Sequence, residues 1–193
     1  MKLDKLFGSK AKADILKYLV FRRQGISMRA FEAELEWSFP AIKKQIKQLE
    51  DAGVIEIQKN SNKRSIFLTK GLWYYIKDLM LYMLQCDLRD YFTEHEFMIH
   101  EHFLGKLRWK ELDMDLVIVH TPHASEYLPS IKQSVEEVFR EYLLEHVTVW
   151  YMTQDEFEKR NRVADKFVIS LMRSVQQKDR KPEYLDTRRQ LRS

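Results

Sequence analysis

At 193 residues, with 45% hydrophobic and 12% aromatic side chains, the chain has enough apolar material for one or two cores, which excludes a disordered polypeptide. Its 33 Lys and Arg against 29 Asp and Glu leave a formal charge of +4, too small a surplus to indicate a polyanionic partner by itself. Sorted along the chain the charge says more: residues 1–70 carry 15 basic and 8 acidic side chains, residues 71–163 carry 10 and 17, and residues 164–193 carry 8 and 4. A basic first third and an acidic middle predict one part that meets a polyanion and another with a separate task. The single cysteine, Cys86, excludes an internal disulfide framework and paired-cysteine zinc sites, and suits a reducing compartment. The N-terminus lacks a signal-peptide core, and no stretch reaches the roughly 18 apolar residues of a membrane span. The expectation is a soluble, cytoplasmic protein with no membrane partner.

Ser9 is a plausible cap for a first helix over residues 9–23, with Ile15, Leu16, Leu19 and Val20 on one face. Ser27 precedes a short helix over 28–35 in which Phe31 and Leu35 stand at i, i+4. Ser38 then fits an N-cap, Pro40 a first turn, and Gly53 the left-handed residue past the end of a helix of about four turns. Ile42, Ile46 and Leu49 form its apolar stripe, while Lys43, Lys44 and Lys47 project from the other side with no acidic residue between them. Two short helices joined by a tight turn, the second one basic, make a helix-turn-helix pattern, whose second helix enters the major groove. Residues 54–58 and 65–69 alternate apolar and polar side chains around the basic turn-forming segment 59–64, which predicts a β-hairpin with a cationic tip.

The run Ala41-Ile42-Lys43-Lys44-Gln45-Ile46-Lys47-Gln48-Leu49-Glu50-Asp51-Ala52-Gly53-Val54-Ile55 resembles the recognition-helix signature of winged-helix regulators of the arsenical-repressor and multiple-antibiotic-repressor type. In those proteins a capped helix is followed by Leu-Glu-x-Ala-Gly and two hydrophobic residues that lead into the wing. The resemblance covers about residues 5–70 and implies a DNA-binding regulator. Ser38, Phe39, Lys43, Lys44 and Lys47 are then expected in the major groove, Lys59, Asn62, Lys63 and Arg64 on the wing, and Ser27 and Arg29 as backbone contacts.

Residues 71–92 are apolar nearly all round for their first fourteen positions, which requires cover on both sides. The segment is read as a linker or dimerisation helix, with Leu72, Trp73, Ile76, Leu79, Met80 and Met83 as its interface, because dimeric helix-turn-helix proteins match two half-sites about one DNA turn apart. His95, His100 and His102 lie among carboxylates. Glu96 with His100 on a helix, or His100 with His102 on a strand, supplies a two-ligand pair, short of a metal site without distant help.

Residues 104–119 resemble the glycine loop and Asp-x-Asp strand of the nucleotidyltransferase superfamily, in which two aspartates hold Mg²⁺; Asp113 and Asp115 occupy those positions. Lys106 replaces the serine expected after the glycine, and Thr148 stands where the strand 147–152 would supply a third carboxylate. These departures point to a degenerate, non-enzymatic domain, with no cofactor and with Asp113 and Asp115 as weak metal candidates. A helix over 125–145 carries Leu128, Ile131, Val135, Val138, Phe139 and Tyr142 inward, so the order is strand, helix, strand. Thr153-Gln154-Asp155-Glu156 is a capping box that opens a final helix with Phe157, Ala164, Phe167, Val168, Leu171 and Val175 inward.

The expected organisation is α+β: a winged helix-turn-helix at 1–70, an apolar linker helix at 71–92, a small acidic α/β sheet domain at 93–177 and a basic tail at 178–193. The expected partners are double-stranded DNA, a second copy of the chain, and an effector or protein partner of the C-terminal domain. The rival readings are a Mg²⁺-dependent nucleotidyltransferase and a protein-interaction module that never touches DNA.

Overall fold

A computed structural model describes residues 3–22, 25–61, 63–95, 98–105, 114–144 and 147–176. The chain is α+β and divides into two compact units, Met1–Glu94 with Pro129–Glu145, and His95–Leu128 with His146–Ser193. Among the described residues no helix is long and apolar enough to cross a membrane.

In the first unit, α1 (Leu3–Phe7) is followed by α2 (Lys10–Lys17), whose start is capped by Ser9 accepting from Lys12 N at 3.4 Å. The helix continues through Tyr18–Arg22 as a widened π-type turn, so the single helix expected over 9–23 changes its winding halfway. Ile15, Leu16 and Leu19 are fully buried on it. The short α3 (Met28–Leu35) is capped by Ser27 Oγ, which accepts from Ala30 N at 3.3 Å. Next comes α4 (Phe39–Asp51), with Pro40 in its first turn and Gly53 past its end at φ +70°. Ile42, Ile46 and Leu49 are buried, and α4 packs on α2, α3 and the following strand.

Strands β1 (Ile55–Asn60) and β2 (Lys63–Leu68) pair antiparallel from Ile55 with Leu68 out to Asn60 with Lys63. The ladder thus runs to the end of the hairpin, and Lys59, Asn60, Lys63 and Arg64 are strand residues, not the loop expected over 59–64. Ile26 adds a one-residue bridge to the other edge of β2: Ile66 N donates to Ile26 O at 2.8 Å and Gly25 N donates to Ile66 O at 2.8 Å. Gly25 is required there for two reasons. Its φ of +74° is left-handed, and a Cβ on it would lie 2.8 Å from the Phe67 ring.

The long α5 (Leu72–Glu94) buries Met80, Met83, Leu84, Leu88 and Phe92 within the chain. It is not covered all round, because Tyr74, Tyr75 and Tyr82 are well over half exposed. Tyrosine suits such a position, its ring adding apolar surface while its hydroxyl stays hydrated. The helix α6 (Leu128–Glu141) buries Ile131, Val135 and Phe139, with Tyr142 just beyond its end.

The second unit holds a three-stranded sheet in the order β3 (Ile99–Gly105), β4 (Met114–His120), β5 (Val147–Thr153). The β3–β4 pair is antiparallel with a bulge between Ile99 and Glu101, and β4–β5 is parallel, the connection including α6. Leu116, Val117, Ile118 and Val119 are all fully buried, as expected for a central strand covered on both faces. On one face Val117, Val119 and Met152 form a core with Phe157, Val168 and Leu171, and Phe103 stacks on Phe157 with ring centroids 5.6 Å apart. The expected final helix is two helices, α7 (Gln154–Arg162) and α8 (Lys166–Gln176). They are separated at Ala164, whose φ of +53° ends the first; Ala164 is exposed there, not inward. Only half of the expected capping box forms: Thr153 Oγ1 accepts from Glu156 N at 3.2 Å, while the Glu156 carboxylate accepts from Arg160 instead of reaching back to the cap.

Candidate nucleic-acid interface

The basic face of α4 follows from its spacing. At about 100° per residue, Lys44 and Lys47 point furthest from the stripe of Ile42, Ile46 and Leu49, with Gln48 beside Lys44 and Lys43 nearer the edge. All four are exposed, and none of these lysines is in an ion pair among the described residues. Phe39, at the first helical position, is partly exposed. Ser38 occupies the N-cap with extended backbone, but its hydroxyl makes no capping bond, contrary to expectation. The residue before it is anchored to α2, Trp37 Nε1 donating to Asp14 Oδ2 at 3.2 Å. Arg22 Nη1 pairs with Glu34 Oε2 at 3.1 Å and ties α3 to the same helical segment.

The hairpin supplies a second group of cations. Lys59 faces Arg64 directly across the ladder, and the adjacent pair is Asn60 with Lys63. All are exposed, so three cations crowd one end of a two-stranded ribbon. Like charges placed directly opposite destabilise a ladder, and an anion seated between them would relieve the cost. At the other end, Thr69 N donates to Val54 O at 3.0 Å and Thr69 Oγ1 to Gly53 O at 2.7 Å, closing the hairpin onto the end of α4. The hairpin and α4 are therefore held as one body by the Ile26 bridge and this closure.

Ser27 and Arg29 are exposed at the start of α3; the Ser27 oxygen is used as the cap, which leaves its O–H to donate. Asn62 lies outside the described residues, as does Asp113. Asp115 is 1% exposed, and its Oδ1 accepts from Trp150 Nε1 at 3.0 Å. Its carboxylate is thus turned into the fold of the second unit. His100 and His102 lie on β3, and Glu96 is outside the described residues. Among the described residues no group of three or more His, Cys, Asp or Glu is placed to hold a metal ion.

Of the six residues expected to form a dimer interface on α5, Met80 and Met83 are buried inside the single chain and have no surface to offer a partner. Leu72, Trp73, Ile76 and Leu79 are half-buried, with Lys77 Nζ 4.4 Å above the Trp73 ring.

A cleft of about 760 Å³ lies elsewhere in the first unit. At its wall Lys17 pairs with Asp14 at 3.6 Å, donates to Glu141 O and sits 5.3 Å over the Tyr142 ring. Tyr142 Oη in turn donates to Asp87 Oδ2 at 2.5 Å. Burial, reinforced by this bond to Asp87, pushes the Tyr142 hydroxyl well above the ordinary tyrosine range. Apart from the local Lys17–Asp14 pair, neither this network nor the role of Trp37 is foreseen by the sequence pattern, since the hydrogen-bonded partners lie 23 to 124 positions apart. An aromatic immediately before an N-cap is the one available signal, because that position often packs or anchors a helix entry.

The chain matches no family model, no curated protein and no solved structure.

Proposed function

We propose that the first unit is a winged helix-turn-helix and that the protein is a sequence-specific, DNA-binding transcriptional regulator acting in the cytoplasm as two copies. The observation that carries the reading is the sidedness of α4, with Ile42, Ile46 and Leu49 buried and Lys43, Lys44 and Lys47 exposed, next to a hairpin whose end carries Lys59, Lys63 and Arg64. In this reading α3 and α4 are the helix-turn-helix, α4 lies in the major groove, and β1–β2 is the wing, with Ile26 contributing its third strand. Lys44 and Lys47 contact phosphates or guanine edges, and Gln48 on the same face is suited to a bidentate contact with adenine. Ser38, Phe39 and the first turn of α4 approach the groove wall, Ser27 and Arg29 the neighbouring backbone, and the wing cations follow the phosphates or the minor groove.

Fluorescence anisotropy with labelled duplex at increasing salt tests the reading. With about six phosphates neutralised by two copies, log affinity falls against log salt with a slope of about −5, at about 0.9 per phosphate. Absence of binding, or binding insensitive to salt, refutes it.

A further inference from the structure

A narrow seam of exposed side chains runs along α5. Tyr75, Asp78, Tyr82 and Arg89 are exposed, and Gln85 between them is half-buried. Their spacings of three, four, three and four residues make a heptad seam, and at about 100° per residue the four exposed residues fall within about 60° of one another. The helix is 23 residues long, about 34 Å, so the seam extends along most of one side. Tyr75 and Tyr82 are 61% and 57% exposed, a large aromatic area to leave in water on one line.

The charges on the seam determine which partner fits and in which direction. The midpoint between Asp78 and Arg89 falls between Met83 and Leu84, half a residue from the middle of the helix, and neither residue is in an ion pair among the described residues. When two copies of α5 run parallel, like positions meet, placing Asp78 against Asp78 and Arg89 against Arg89. When they run antiparallel about that midpoint, each Asp78 meets the Arg89 of the other copy, twice by symmetry. Tyr82 then lies over Gln85 and Tyr75 over the last turn of the partner helix. A heptad seam pairs its two kinds of core position in this way in the antiparallel orientation. A self-complementary two-fold patch is what an isologous dimer requires.

We propose that α5 is the dimerisation element and that two copies of this chain pair through it, antiparallel, with reciprocal Asp78–Arg89 contacts and Tyr75 and Tyr82 as the buried aromatics. This rests on the two-copy reading above and replaces Met80 and Met83 with the residues that have surface to give. One helix seam is smaller than the roughly 800 Å² per partner of a standard interface, so the dimer is weak, in the micromolar range.

Sedimentation equilibrium of the full chain, without DNA, tests the proposal. The wild type is expected to dimerise, while Asp78→Arg and Arg89→Asp each raise the dissociation constant by roughly tenfold or more, because two attractions become two repulsions. An equimolar mixture of the two variants restores association, since the introduced arginine of one faces the introduced aspartate of the other while the native Arg89 and Asp78 meet at the second contact, and the doubly substituted chain also dimerises. Tyr82→Ala weakens the dimer without altering the circular dichroism, which also serves as the folding control for the charge variants. A wild type that stays monomeric at about 100 μM, single variants that associate like wild type, or a mixture that fails to recover overturns the proposal. No DNA is present in this measurement, so it can fail while DNA binding stands, and the salt titration can fail while the dimer stands.

Discussion

Trp37 Nε1 donates to Asp14 Oδ2 at 3.2 Å, joining the residue before the N-cap of α4 to the middle of α2. The indole thereby sets where α4 begins relative to the helix that supports it. Trp37→Phe keeps most of the ring area and removes the donor. The Asp14 side chain is 17% exposed, and a hydrogen bond to such a carboxylate contributes about 1.5–3 kcal/mol, so urea denaturation is expected to show a loss of that size. DNA affinity should fall by several-fold as the entry to α4 loosens. Unchanged stability would mean the contact is incidental.

Lys44→Ala and Lys47→Ala are expected to leave the circular dichroism and melting temperature nearly unchanged, because both side chains are exposed and neither is in an ion pair among the described residues. Each should weaken DNA binding and make the salt slope shallower by about 0.9 for every phosphate that is no longer neutralised. Gln48→Ala should instead change which duplex is preferred, with little effect on the slope. A selection from random duplexes, repeated with each variant, separates the two roles.

The facing cations Lys59 and Arg64 predict effects of opposite sign on stability and binding. Lys59→Thr removes a cross-strand repulsion and introduces a good strand former, so the free protein should gain about 0.5 kcal/mol. The same change should weaken DNA binding. Were both quantities to fall together, the tip would be serving stability and not an anion.

Tyr142 makes stability sensitive to alkali. Its hydroxyl is raised in the folded state, by burial first and by the bond to Asp87 second. The neutral form is therefore favoured by folding, so the contribution is fully present below the unfolded tyrosine value of about 10 and is lost as pH rises beyond it. Tyr142→Phe should cost about 1–3 kcal/mol at neutral pH by removing the bond to Asp87. Above about pH 10 it should show a flatter decline than wild type. Parallel pH profiles of denaturation midpoint for the two proteins decide the matter.

Ala164 ends α7 in the left-handed region at φ +53°, where a Cβ is unfavourable. Ala164→Gly is expected to raise stability by roughly 0.5–1 kcal/mol, read as an increase in melting temperature. A decrease would show that the unfolded-state entropy of glycine outweighs the relieved strain.

What is legible in the amino acids is whatever repeats over a few residues. The stripe of Ile42, Ile46 and Leu49 and the alternation of Ile55, Ile57, Ile66 and Leu68 announce their partnership by period, and the short, largely β-branched run Leu116–Val119 by its continuous apolarity. Features set by distant pairs are not legible. Nothing local marks Tyr142 as the partner of Asp87, or Ile26 as a bridge partner of β2, because each depends on where another element passes. The seam on α5 is hidden for a different reason. Its tyrosines count as apolar by composition, so a helix with one wet side looks apolar all round, and Met80 and Met83 look available for a surface they do not reach. The hydroxyl of Ser38 fits a cap by residue type, yet it makes no capping bond, and the anchor beside it, Trp37 to Asp14, reaches 23 positions back along the chain.

The first unit is discontinuous in the chain, since Pro129–Glu145 belongs with Met1–Glu94. A stop codon after residue 94 would therefore not yield that unit intact: it would strip Tyr142 from Asp87 and remove the Glu141 carbonyl to which Lys17 donates. Dissecting this protein calls for gene surgery that splices residue 94 to residue 129 through a designed loop, or for a circular permutant. A simple truncation that aggregates would report on a missing helix and say nothing about whether α4 binds DNA.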